Sequence, residues 1–149
     1  MNSNALIQII FLLLYIIPLV LFLLTLQNTL KIISPENRKI SAGNVWFMLI
    51  PFLGIIWQFV VVQKIAESIK AECKMLNIYV KEKMPTYAFG LSYCLSYILF
   101  FIPVTKTIGA LVLLITWSIY WIKVYQYKKI LVLNKEGMPN SEKENLLIS

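Results

Sequence analysis

Four apolar runs divide the chain, at residues 5–26, 45–62, 86–103 and 107–127. Each is about as long as a helix needs to cross a bilayer, roughly 20 residues at 1.5 Å per residue. This spacing predicts an all-α fold, an integral membrane four-helix bundle. After Gln63 the pattern changes. Ile65, Ile69, Cys73, Leu76 and Val80 recur every three or four positions, the period of one helical face, with lysines and glutamates interleaved elsewhere. No proline or glycine lies between Ile55 and Met84. The second helix is therefore expected to continue past the membrane as an amphipathic cytoplasmic helix over 63–84, ended by Met84-Pro85.

The polar segments refine this outline. The first run has no Lys or Arg before it and no small-residue cleavage site after it, so it reads as a retained helix rather than a signal peptide. Pro18 falls inside it and Pro51 inside the second run, and both are expected to kink their helices. With Pro103, they predict a shallow cavity in the outer half of the bundle. Ser34-Pro35-Glu36 has the form of a helix start within the loop 27–44, and Asn44 is placed to cap the second helix. Trp46 and Trp57 are expected at opposite ends of that helix, as an aromatic belt would set them. In the third run, Ala88, Ser92 and Ser96, beside Gly90 and Cys94, form small-residue stripes suited to close helix approach. The fourth run ends in Trp117, Tyr120, Trp121, Tyr125 and Tyr127, then Lys128 and Lys129, as a helix leaving through headgroups would. Residues 134–149 read as a flexible cytoplasmic tail behind a 1–133 membrane domain.

Composition agrees with a membrane setting. The hydrophobic share is 59%, against about 45–50% in soluble domains. The formal charge of +7 lies beside apolar runs, which points to anionic lipid headgroups rather than nucleic acid as the partner. With alternating spans, ten basic residues fall on the side of residues 63–86 and the C-terminus. Four, Lys31, Arg38, Lys39 and Lys106, fall on the other. The positive-inside rule then makes this a multi-pass cell-membrane protein with both termini cytoplasmic.

The chemistry on offer is sparse. There is no histidine and no aspartate, and Cys73 and Cys94 show neither CxxC nor zinc spacing. No nucleophile with a base, phosphate loop or carboxylate pair appears, and all four runs lack a charge through their centres. No catalytic, cofactor-binding or metal-binding residue is expected, and the chain reads as a non-enzyme. Lys70, Lys74, Lys81, Lys83, Lys128 and Lys129 are the candidate residues for lipid headgroups or a partner. Under the alternating topology, Gln8, Gln58, Ser92 and Ser118 come to similar depth and form a candidate polar layer.

Within 46–72, Trp46, Ile50-Pro51, Trp57-Gln58-Phe59 and Ile65-Ala66-Glu67-Ser68 follow one another in order. This stretch resembles a signature of uncharacterised small four-helix proteins of the bacterial inner membrane. The resemblance implies a four-helix membrane fold and no particular activity. The function expected is a small scaffold or accessory subunit that meets anionic lipid, a membrane-protein partner or a second copy of itself. The alternative is a small oligomeric channel or transporter using the polar layer.

Overall fold

The computed structural model describes residues 3–137. Among these the chain is all helical, without a strand. The first helix, α1, runs unbroken through Pro18 over Ser3–Ile32. Thr25 and Thr29 donate their hydroxyls to the carbonyls of Leu21 and Thr25, at 2.8 and 2.7 Å, which keeps both side chains satisfied within the helix.

The second apolar run is not one helix. It forms a 3-10 segment, Ala42–Leu49, followed by a sharp reversal into α2, Leu53–Met75. Pro51 drives the break, because its ring disfavours helical geometry at the residue before it. Ile50 is accordingly extended, at φ −74° and ψ 122°. Phe52 then takes φ 63° and ψ −52°, and the Leu53 N–H donates to the Pro51 carbonyl at 2.7 Å. That is a γ-turn of the strained hand. The 3-10 segment and α2 fold back on each other, and Gly54 permits the closeness: a β-carbon there would strike the Met48 carbonyl. Trp46 and Trp57 therefore do not mark opposite ends of a helix. The Trp57 indole N–H donates to the Asn44 carbonyl at 2.8 Å, which occupies the residue expected to cap that helix.

The amphipathic extension is also shorter than its periodicity predicts. It stops at Met75 rather than Met84. Asn77 adopts φ 52°. The Asn77 N–H donates to the Lys74 carbonyl and the Ile78 N–H to the Cys73 carbonyl, the paired bonds of a Schellman cap. Residues 76–86 carry no helix. Then α3, Tyr87–Phe101, and α4, Lys106–Lys135, pair through the tight turn Pro103–Thr105. Gly109 lies so close to α3 that a β-carbon would come within 2.9 Å of backbone atoms of Leu99 and Phe100. Thr116 and Ser96 join the same pair by a hydroxyl bond of 3.2 Å. The Gly90–Cys94 stripe is buried in the packing as expected, but of Ala88, Ser92 and Ser96 only Ser96 is.

The hairpin changes the direction of everything that follows it. Phe22 of α1 meets Trp117, Tyr120 and Trp121 of α4 edge to face, at 5.7–6.0 Å. The Trp121 indole N–H donates to the Thr25 hydroxyl at 3.0 Å. Further along both helices, the Lys135 ammonium donates to the Ile32 carbonyl. So α1 and α4 run parallel, and the start of α1 and the end of α4 lie at opposite ends of the molecule. The loop 33–41 sits with the end of α2, not across from it as alternation of four spans requires. Two helices, Ala5–Ile32 and Pro103–Lys135, are long and apolar enough to cross a membrane. The expected tail falls largely outside the described residues, and its first two positions, Asn134 and Lys135, belong to α4.

Phe22, Leu23 and Leu26 of α1, Val61, Val62 and Ile65 of α2, Cys94 of α3, and Tyr120 and Val124 of α4 make the centre of the core. Tyr93 stacks on Tyr120 at 6.0 Å with the rings 8° apart. Ring burial on this scale is a large share of what holds the helices together.

Candidate functional site

The end of the molecule that gathers the ends of α1, α2 and α4 is built on Glu72. It occupies α2 seven residues after Ile65 and three after Ile69, in phase with the buried face, and its side chain is fully enclosed. Its Oε2 accepts the Ser34 backbone N–H at 3.1 Å and the Asn37 amide at 2.7 Å. Its Oε1 accepts the Ser34 hydroxyl at 2.9 Å and faces the Lys135 ammonium at 2.8 Å. Burial alone would raise the carboxyl pKa. The bonds from Lys135, Asn37 and Ser34 outweigh that and hold it below the usual carboxylate range. Ser34 does not start a helix but closes a single turn, its carbonyl accepting from Asn37 and Arg38 at 3.0 and 3.1 Å. The Arg38 guanidinium caps the end of α1, donating to the carbonyl of Lys31 and to that of Ile33 just beyond the helix. Glu72 is not among the residues expected to be functional from the sequence. The signal for it was a lone carboxylate on an otherwise apolar stripe.

Beside Glu72 is a shallow groove of about 370 Å³ whose lining includes Lys70, Lys74 and Lys83, with Glu82, Ile78 and Tyr79. Three of the six expected headgroup lysines are thus brought together. Lys81 and Lys129 are exposed outside the groove, and Lys128 lies over the Tyr125 ring at 5.9 Å. Cys73 also borders the groove, but burial pushes its thiol up to about 12, with the neighbouring Glu72 carboxylate acting in the same direction. It is not a reactive thiolate at neutral pH.

The expected polar layer does not form. Gln8 is exposed, and Ser92 and Ser118 are exposed and donate to carbonyls of their own helices, Ala88 and Leu114. Only Gln58 is buried, at 3% exposure, and its amide nitrogen has no partner. Interhelical polar bonds instead use Trp121 with Thr25 and Thr116 with Ser96, while Trp46 donates to Gln27 at 3.2 Å. Gln58 lines a second, deeper cavity of about 640 Å³ between α1, the tip of the hairpin, α3 and α4. Pro18 and Pro51 border this cavity, as the expected cavity of kinked helices required, and Pro103 does not. Pro18 lies within a continuous helix and Pro51 within the turn of the hairpin.

Among the described residues no cluster of three or more metal-ligating side chains occurs. Comparison with protein-family models, curated proteins and solved structures finds no match.

Proposed function

We propose that the chain is a non-enzymatic integral membrane protein, a small scaffold or accessory subunit whose Glu72 end holds anionic lipid headgroups at the cytoplasmic surface. The apolar exposure supports the membrane setting. Ile7, Leu12, Leu14 and Ile17 of α1, Leu95 and Ile98 of α3, and Leu111, Leu114 and Ile115 of α4 are all 40% exposed or more. Surfaces of this kind are covered by lipid or by other protein. In this reading α1, α3 and α4 cross the bilayer, and the 3-10 segment with α2 enters from the Glu72 end and returns to it. Non-helical backbone at Pro51 is tolerated at depth where it is packed in protein.

Orientation follows from the charges. Of the fourteen Lys and Arg residues, twelve lie toward the Glu72 end and Lys106 lies at the other, Lys143 falling outside the described residues. The positive-inside rule then makes the Glu72 end cytoplasmic and places the start of α1 outside. This replaces the arrangement with both termini cytoplasmic.

The observation that carries the headgroup role is the groove that collects Lys70, Lys74 and Lys83. Each cation near an anionic surface contributes about 1 kcal/mol, screened by salt. Reconstituted protein is expected to prefer fluorescent phosphatidylglycerol over phosphatidylcholine, and the triple change of these lysines to Gln should remove most of that preference. A phosphatidylglycerol preference in the triple variant as strong as that of the wild type would reject the role. A channel is less well supported, because Gln8, Ser92 and Ser118 leave no polar path with Gln58.

A further inference from the structure

We infer that the cavity at Gln58 is a binding site for a neutral long-chain lipid carrying one carbonyl or hydroxyl group, which bonds to the Gln58 amide. The cavity is of a size that suits such a molecule, about 640 Å³, within the range of roughly 300–1,000 Å³ usual for small-molecule sites. Its walls are chiefly aliphatic and aromatic: Leu19, Leu23, Ile55, Phe101, Leu113 and Trp117 among them. Water gains little in a space of that kind.

The polar groups are few and uncharged. Gln58 is 3% exposed, and its nitrogen meets no acceptor. Tyr15, Tyr93 and Tyr97 belong to the same lining. An amide turns end for end about its last torsion at little cost, so Gln58 offers either a donor or an acceptor to the cavity. No Lys, Arg or Glu lines the cavity. A charged headgroup placed there would be desolvated without a counter-ion, which selects against fatty acid anions and phospholipid heads. The cavity is bordered by Phe52, 86% exposed and held at φ 63° in the γ-turn. Strained backbone of this sort recurs at ligand clamps. The inference depends on the membrane setting and is independent of the headgroup groove.

The test uses the full-length protein in nanodiscs and a diazirine-bearing hexadecanol as the probe, with the labelled peptides identified by mass spectrometry. Labelling is expected within 48–58 and 93–101, saturable and competed by hexadecanol. Hexadecane should compete about fivefold less well, the loss expected for one hydrogen bond, and palmitate at pH 8 should also compete less well than hexadecanol, because its charge would lose water there without gaining a counter-ion. Gln58→Leu should erase the difference between hexadecanol and hexadecane. Ile55→Trp, which fills the cavity and leaves Gln58 in place, should abolish labelling at both segments. The triple lysine variant of the groove should label like the wild type. Labelling spread evenly along the outer faces of α1 and α4 and unchanged by Ile55→Trp would mean ordinary annular lipid and overturn the site. Equal competition by hexadecane and hexadecanol in the wild type would overturn the role of Gln58.

Discussion

Replacing Glu72 by Gln is the most informative single change in the molecule. The side chain keeps its size and loses its charge. In the wild type the carboxylate accepts four contacts, all between 2.7 and 3.1 Å, from Ser34, Asn37 and Lys135, and is closed to solvent. An amide in its place puts an NH2 group against one set of these donors, so at least one bond becomes a donor facing a donor. Lys135 loses its counter-ion, but at 35% exposure its ammonium can turn to water. Hydrogen bonds to a charged group are worth about 1.5–3 kcal/mol each, and breaking a buried pair costs about 3–5 kcal/mol. Discounted for the exposure of Lys135, the loss should be about 3 kcal/mol. The assay is reversible unfolding in mixed micelles with increasing SDS, followed by tryptophan fluorescence. Lys135→Gln should cost less, because Ser34 and Asn37 still hold the carboxylate. In the double variant the two losses should not add. A Glu72→Gln protein that unfolds at the wild-type SDS fraction would refute the claim that this carboxylate joins the ends of α1, α2 and α4.

The same group fixes a pH dependence. Its pKa in the folded protein lies below the usual value of 4.5. A lowered folded pKa means that the unfolded chain takes up the proton first as pH falls. The stability contributed by Glu72 is therefore complete above the unfolded pKa and is lost as pH drops from there through the folded value. Wild-type stability should fall over that acid window, and Glu72→Gln should lose this part of the slope while matching the remainder of the wild-type curve. Identical slopes in the two proteins would show that the charge on Glu72 does not contribute.

Three further outcomes follow from particular positions. Gly109→Ala should destabilise by about 2 kcal/mol in the same SDS assay, since the new methyl meets the backbone of α3 rather than a side chain that can move. Phe52→Gly should stabilise by about 1 kcal/mol, because glycine takes φ 63° without strain and the ring it removes is 86% exposed. With Cys73 and Cys94 replaced by Ser, a cysteine introduced at Asn37 should react with an impermeant maleimide only after cell lysis, and one introduced ahead of α1 should react in intact cells; the opposite pattern would reverse the orientation proposed here.

How much of this was legible in the sequence depends on which physical signal each feature leaves. Hydropathy located α1, α3 and α4, because a long apolar run in a helical period has few other solutions, but it marked only the apolar part of each: α1 runs on to Ile32 and α4 to Lys135, past stretches that end at 26 and 127. It failed at 45–62, where a straight helix and a tight hairpin present the same composition. Pro51 and Gly54 carried the difference: one forces Ile50 out of helical geometry and the other lets two backbones touch. The end of α2 was marked by Asn77, a residue that tolerates left-handed backbone, but an unbroken apolar stripe hid it. Glu72 left a sign in its place on the apolar stripe, and Pro18 and Pro51 pointed to a cavity, but the residues that complete each site, Ser34, Asn37 and Lys135 around Glu72 and Tyr93 and Tyr97 across from Gln58, lie more than 30 residues away along the chain, where spacing carries no signal.

In the membrane arrangement proposed above the hairpin matters more than its size suggests, because topology in a bilayer is a matter of parity. Read as one span, residues 45–62 set the loop 27–44 opposite the end of α2 and split the basic residues ten to four. Read as a hairpin that returns to its starting side, they bring Ser34 and Asn37 onto Glu72 and collect twelve basic residues at one end. The second arrangement satisfies a buried carboxylate and sharpens the charge asymmetry at once. Those two consequences are physically independent, one a matter of hydrogen bonds at 2.7–3.1 Å and the other of field across a membrane. Their agreement is the reason to place the γ-turn at Pro51–Phe52, rather than any of the longer helices, at the origin of the fold. It also contributes to the cavity, because Ile50, Pro51 and Phe52 of the turn line it together with Gln58 and residues of α1, α3 and α4.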